Sequence, residues 1–240
     1  MKRMAVLACI GLAGATIAGP AVADTIDTSG SYAGKIDYFG AHYTPVYGQT
    51  FTVGSANALN GFTFFLGGGA TNVRAYVYSW GGNGPLGHAY YASDVRSFAG
   101  TEGDAYQALR FDLGAIDLRA GQRYVAFLTT AGVDQPADGG VTWMPTAGAF
   151  GSDAYAGGDF VYTNAGDSLD AVVGQKWVDV YGGLGDVQFK ADFSPGATIG
   201  AGVPEPAAWA LLIGGFGIAG GALRLRLPLR RVRSGLRTTR

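Results

Sequence analysis

Between residues 49 and 193 the apolar positions of this chain recur at every second residue. In DVQFKADF (186–193), Val187, Phe189, Ala191 and Phe193 fall on one face and Gln188, Lys190 and Asp192 on the other. That is the pattern of a strand buried on one side. QTFTV (49–53) behaves alike, with Phe51 and Val53 inward. LNGFTFFL (59–66), NVRAYVYSW (72–80), ALRFDLG (108–114), RYVAFLTT (123–130), GVTWM (140–144), DFVYT (159–163) and KWVDVY (176–181) complete the series. Turn-forming runs separate them: GGGATN, GGNGPLG, DQPADGG and AGGD. No amphipathic stretch before Ala207 has the length of a helix. About nine strands at this spacing predict an all-β domain over residues 24–195, an antiparallel β-sandwich of jelly-roll type.

Composition agrees with that reading. Glycine supplies 41 of the 240 residues, well above the roughly 7% of average proteins. It shows no Gly-X-Y period, so tight turns between short strands account for it. Apolar residues, at 48%, suffice for a core. The one cysteine, Cys9, lies near the N-terminus. The predicted domain therefore has no disulfide, no thiolate metal ligand and no cysteine nucleophile. Packing must hold it together.

Charge is unevenly distributed. The formal net charge is −1, yet all 18 acidic residues lie between Asp24 and Glu205 with only eight basic ones, a local balance of −10. So acidic a domain repels nucleic acid, which is excluded as a partner. Seven arginines and no acidic residue lie from Arg224 to Arg240.

Both ends carry targeting features. Residues 1–23, MKRMAVLACIGLAGATIAGPAVA, open on Lys2 and Arg3, continue through an apolar stretch and close on Ala21-Val22-Ala23. Those are the three parts of a secretory signal peptide, with cleavage expected after Ala23. Residues 196–203 read as a flexible tether. From 207 to 223 there are 17 residues without a charge, about 25 Å of helix and enough for a short transmembrane span. Trp209 suits the membrane interface, and the arginines that follow are expected to remain cytoplasmic. This orientation puts residues 24–206 outside the inner membrane.

Pro204-Glu205-Pro206, then Trp209-Ala210, the apolar run and the arginine cluster resemble the PEP-CTERM sorting signal in its PEPxxWA form, over residues 204–240. The resemblance implies a surface-sorting tag of Gram-negative bacteria that make exopolysaccharide. It also implies an exosortase, a membrane-embedded processing enzyme that recognises the tag and removes the span. Pro204, Glu205 and Pro206 would be the recognition tripeptide, with Trp209 and Ala210 the additional pair. The protein would be anchored transiently in the inner membrane and end at the cell surface or in the exopolysaccharide of a biofilm. The basic end is longer than such tails usually are. Two prolines fix φ and remove two backbone donors, so the tripeptide stays extended, and Glu205 adds one charge for a pocket to read. A plain anchor behind a proline-rich hinge is the alternative. A looser resemblance, from GQTFTV through FTFFL, RAYVYSW and LRAGQRYVAFL (47–130), is to a domain that recurs in exported proteins with this tag. It implies a jelly-roll-like sandwich without assigned catalysis.

Convergent chemistry is sparse, and the sequence assigns no catalytic residue, metal or cofactor. His42 and His88 are far apart and read as surface or turn residues. G-x-S-x-G, H-E-x-x-H and the P-loop are absent. Glu102 is the only glutamate of the domain, so a two-carboxylate polysaccharide hydrolase would have to use aspartates. Asp134, Asp138, Asp153 and Asp159 fall in loops, where aspartate ordinarily shapes turns. One binding surface stands out. With Val73, Ala75 and Val77 inward, Tyr76, Tyr78 and Trp80 share the opposite face with Arg74, and a row of aromatics can stack sugar rings. The alternative inverts the strand and puts Tyr76 and Tyr78 in the core. Trp143 and Trp177 are expected to be buried. The reading that follows is an exported, non-enzymatic surface or matrix protein associated with exopolysaccharide. A carbohydrate-binding module comes second and a polysaccharide hydrolase third.

Overall fold

The structure, a computed structural model, describes residues 23–40, 43–149, 153–177 and 185–196. The chain divides into two compact units, Met1–Ala197 and Thr198–Arg240. The second unit, with the expected span and sorting signal, lies outside the described residues, as does the signal peptide through residue 22. Among the described residues no helix is long and apolar enough to cross a membrane.

In chain order the described elements are β1 (Asp24–Asp27), β2 (Tyr32–Phe39), β3 (Val46–Thr52), β4 (Ala58–Gly68), β5 (Thr71–Gly81), β6 (Gly84–Ala92) and β7 (Arg96–Phe98). They continue with β8 (Tyr106–Asp117), β9 (Arg123–Thr129), β10 (Thr142–Ala147), β11 (Phe160–Thr163), α1 (Leu169–Val173), β12 (Asp186–Val187) and β13 (Phe189–Ser194). One sheet has seven strands along the path β1-β13-β4-β10-β12, with β2 paired to β10 and β8 to β4. The other has six along β11-β3-β9-β5-β6, with β7 paired to β5. Every strand pairing is antiparallel. The fold is all-β, two antiparallel sheets facing each other as in a β-sandwich.

The predicted alternation places the main core between the sheets. Phe51, Tyr124, Val73, Ala75 and Val77 enter it from the six-stranded sheet, and Phe62, Phe64, Phe111 and Phe189 from the seven-stranded one. Phe51 meets Phe189 at 6.1 Å between ring centroids, and Phe62 stacks on Phe111 at 5.2 Å. Each fully buried phenylalanine contributes about 1.5–3 kcal/mol by leaving water. These contacts hold together two sheets that no strand pairing joins among the described residues.

Four strands escape a period-two reading. In β2 the buried residues are Ile36 and Phe39, three apart. The reason is a bulge: three steps on β2, from Ile36 to Phe39, oppose two on β10, and Tyr38 takes φ +68° to absorb the extra residue. β6 begins inside the glycine-proline run read as a turn, because the reversal needs only Gly82 and Asn83, both at positive φ. β1 and β7 are short edge segments whose partners, β13 and β5, supply the pairing. Of the predicted strand 176–181, residues 178–181 lie outside the described residues, and Lys176 and Trp177 belong to the loop after α1.

Candidate functional site

The predicted aromatic face on β5 has the predicted orientation and a different fate. Tyr76 and Tyr78 do point away from the inter-sheet core, opposite Val73, Ala75 and Val77. They are nevertheless only 5% exposed. Tyr76 stacks on Phe127 at 5.3 Å, and Phe127 meets Trp177 edge-on at 5.0 Å. The segment carrying α1 closes this layer, with Val172 and Trp177 in the same cluster. Ser168 caps α1 by accepting from the Ala171 N–H, and the Trp177 indole N–H donates to the Val172 carbonyl at 2.9 Å. Trp80, half-buried, packs edge-on against Trp177 at 5.7 Å. Tyr76, Tyr78 and Trp80 thus form a second, outer core. A sugar ring has no open face to stack on there, which corrects the expectation of a platform.

An open aromatic surface lies on the other sheet instead. The outward row of the seven-stranded sheet runs through Trp143 on β10, Gly67 on β4 and Tyr106 on β8, which are register partners. Trp143 is 3% exposed, as expected, because other side chains cover it. Tyr106 meets it edge-on at 6.0 Å and meets Phe65 in the same manner at 6.0 Å. Lys35 Nζ lies 5.2 Å from the indole centroid, within cation–π range. Tyr32, from β2, stacks on Tyr106 with ring centroids 6.1 Å apart and planes 11° apart. Tyr32 is 54% exposed and Tyr106 36%. The two rings therefore share one orientation and remain wet.

Charge is fixed beside them. The Lys35 ammonium pairs with Asp104 at 3.2 Å and Asp37 at 3.9 Å. The hydrogen bond to Asp104, with the charge of Asp37 behind it, holds Lys35 above the ordinary lysine range. Tyr106 also borders a shallow groove of about 840 Å³, whose lining includes Gly68, Gly100, Glu102, Gln107 and Asp138. Gly68 and Gly100 both sit at φ +88°, and a Cβ on Gly100 would come within 2.9 Å of the Gly68 carbonyl oxygen. Backbone meets backbone there, an approach that only glycine permits. Glu102, Gln107 and Asp138 are exposed along it.

Among the described residues the strongest electrostatic perturbation is elsewhere and inside. Asp186, fully buried, accepts at Oδ1 from Gln49 Nε2 at 2.5 Å and at Oδ2 from the Ala154 and Tyr155 N–H groups at 3.0 and 2.9 Å. Gln49 lies on β3 and Asp186 on β12, so the pair crosses between sheets. Burial pushes the carboxyl up to about 6, against the hydrogen bonds from Gln49 and Tyr155, and nearby Asp153 adds to the rise. Three donors occupy this carboxylate, and its work is to tie a loop and two sheets together.

The other predicted residues are dispersed. His42 lies outside the described residues; His88 is exposed on β6 and stacks on Tyr90 at 5.9 Å. Asp159 pairs with Arg123, and Asp153 Oδ1 accepts from the Tyr155 N–H at 3.0 Å, a turn-shaping bond. Asp134 and Asp138 lie in the loop before β10. Among the described residues no group of three or more His, Cys, Asp or Glu side chains could hold a metal ion. Ala23 is exposed directly before β1, while Ala21, Pro204, Glu205, Pro206, Trp209 and Ala210 are outside the described residues.

Sequence reasoning missed Tyr32 and Tyr106. For Tyr106 the signal was present: extending the alternation of ALRFDLG by two residues puts it on the outward face with Ala108 and Arg110. For Tyr32 it was not, since a second register shift, between Tyr32 and Gly34, breaks the alternation of β2 and its contact comes from a distant strand. No protein-family model and no curated protein matches the chain.

Proposed function

We propose that this chain is an exported, non-enzymatic surface protein. Its signal peptide is removed after Ala23, and a β-sandwich of jelly-roll type (24–195) is displayed outside the inner membrane. A tether (196–203) leads to a PEP-CTERM-like signal (204–240), where an exosortase-type enzyme acts. The protein then resides at the cell surface or in the exopolysaccharide. The observation that carries this reading is the order of features along the chain: a basic–apolar–small start, Pro204-Glu205-Pro206, an uncharged run over 207–223, then seven arginines. The local balance of −10 between Asp24 and Glu205 supports display away from nucleic acid. The engagement of Asp186 by three donors supports a structural use for the one strongly raised carboxyl among the described residues.

Intact-mass measurement of protein extracted from the surface of the producing cell tests it. The expected mass begins at Asp24 and ends near Pro206. A mass that still includes the arginine tail overturns the processing step, and one that still includes residues 1–23 overturns cleavage after Ala23.

A further inference from the structure

We infer that the outward face around Tyr106 and Tyr32, with the groove beside it, is a binding site for an uncharged polysaccharide. The inference deepens the reading above and rests on the domain being displayed where such polymers are found.

A hexose ring presents a flat face of C–H bonds and a rim of hydroxyls. The first needs a wet aromatic surface, since the apolar face gains by meeting a π-cloud. Tyr106 and Tyr32 provide it, with ring planes 11° apart and both rings open to solvent. Tyr106 is held from below. Tyr106 packs edge-on against both Trp143 and Phe65, so little order remains to be imposed on binding. The rim of hydroxyls needs planar acceptors, and Glu102, Gln107 and Asp138 line the groove that Tyr106 borders.

Charge selects among polymers. The groove's lining includes Glu102 and Asp138 and no basic side chain, and Lys35 is already paired with Asp104 and Asp37. A uronate or sulfated chain would be repelled by this surface. The shallow shape suits a chain passing along it rather than an enclosed small molecule.

The test uses the full chain in a polyoxyethylene detergent, which carries no sugar, with fluorescently labelled dextran, mannan, mixed-linkage glucan and, as the anionic counterpart, alginate. Saturable binding to at least one neutral polymer is expected, with alginate weaker than it. Tyr106→Ala should raise the dissociation constant by about tenfold, Tyr106→Phe should retain binding, and Tyr90→Ala, an exposed aromatic elsewhere, should not alter it. Glu102→Ala removes an exposed side chain with no packing role and should weaken binding severalfold, which keeps the test decisive if Tyr106→Ala unfolds. Absence of binding to all three neutral polymers, tighter binding of alginate, or unchanged affinity in the Tyr106→Ala and Glu102→Ala variants overturns the assignment. These readouts do not depend on sorting, so either proposal can fail while the other stands.

Discussion

The indole of Trp143 occupies the space that a side chain at Gly67 would need. A Cβ built on Gly67 runs into the Trp143 ring and also comes to 2.7 Å from the Ala105 carbonyl oxygen. Trp143 can therefore lie flat across β4 only because its register partner has no side chain. Tyr106, the partner of Gly67 on the opposite edge, closes over the same indole. One glycine thus sets the height of the whole outward aromatic surface.

Gly67→Ala is expected to destabilise the domain by about 2–3 kcal/mol, since backbone blocks one side and a buried indole the other. The loss should appear as a lower denaturant midpoint. The Trp143 fluorescence environment should change with it. An unchanged midpoint would mean that the indole has room to move aside.

Tyr78→Ala separates the outer core from the sugar-binding surface. Tyr78 is buried against Phe127 under the α1 segment, so truncation should cost about 3 kcal/mol or more. Burial also raises the Tyr78 phenol above its usual range, which fits a ring withdrawn from water. Polysaccharide affinity, measured at a temperature where the variant is folded, should not change. Lost affinity with unaltered stability would restore β5 as the platform.

Gln188→Met is expected to stabilise. The Gln188 side chain is 1% exposed, and neither its Nε2 nor its Oε1 has a hydrogen-bond partner among the described residues. A methionine of similar length removes that desolvation cost, a gain of about 1–2 kcal/mol. A rise in Tm checks it; a fall would show that the amide is bridged by water.

Asp186 gives stability a pH dependence of unusual sign. Its folded-state carboxyl titrates at about 6 rather than 3.8, so between those values the folded protein holds a proton that the unfolded chain has released. The contribution is fully present below pH 3.8 and is lost as pH rises through about 6. Its ceiling is on the order of 3 kcal/mol. Asp27, held below its usual range against burial by hydrogen bonds from Lys190 and Ser29, works in the opposite direction at lower pH. In Asp186→Asn the slope between pH 4 and 6 should disappear. Because its Nδ2 would then face Gln49 Nε2, Gln49 must turn and give up the Val187 N–H that it now accepts at 3.2 Å, a cost of about 1 kcal/mol. Denaturant midpoints at pH 4, 5, 6 and 7 measure both effects.

The alternation along the chain determined which residues could share a face. It placed Phe51, Phe189 and Phe193 on inward faces that meet in the core, and it correctly divided β5 into an aliphatic side and an aromatic side, because a strand's side chains alternate by covalent geometry alone. The order of charge and apolarity at the two ends defined the expected targeting segments in the same local way. What alternation cannot determine is what lies above a face. Tyr76 and Tyr78 became core because a segment some ninety residues later in the chain, carrying Val172 and Trp177, folds over them. Tyr32 and Tyr106 became a pair because β2 and β8 lie on opposite sides of β10 and β4. Exposure is a property of long-range packing, and only the tertiary structure decided which aromatic row meets water.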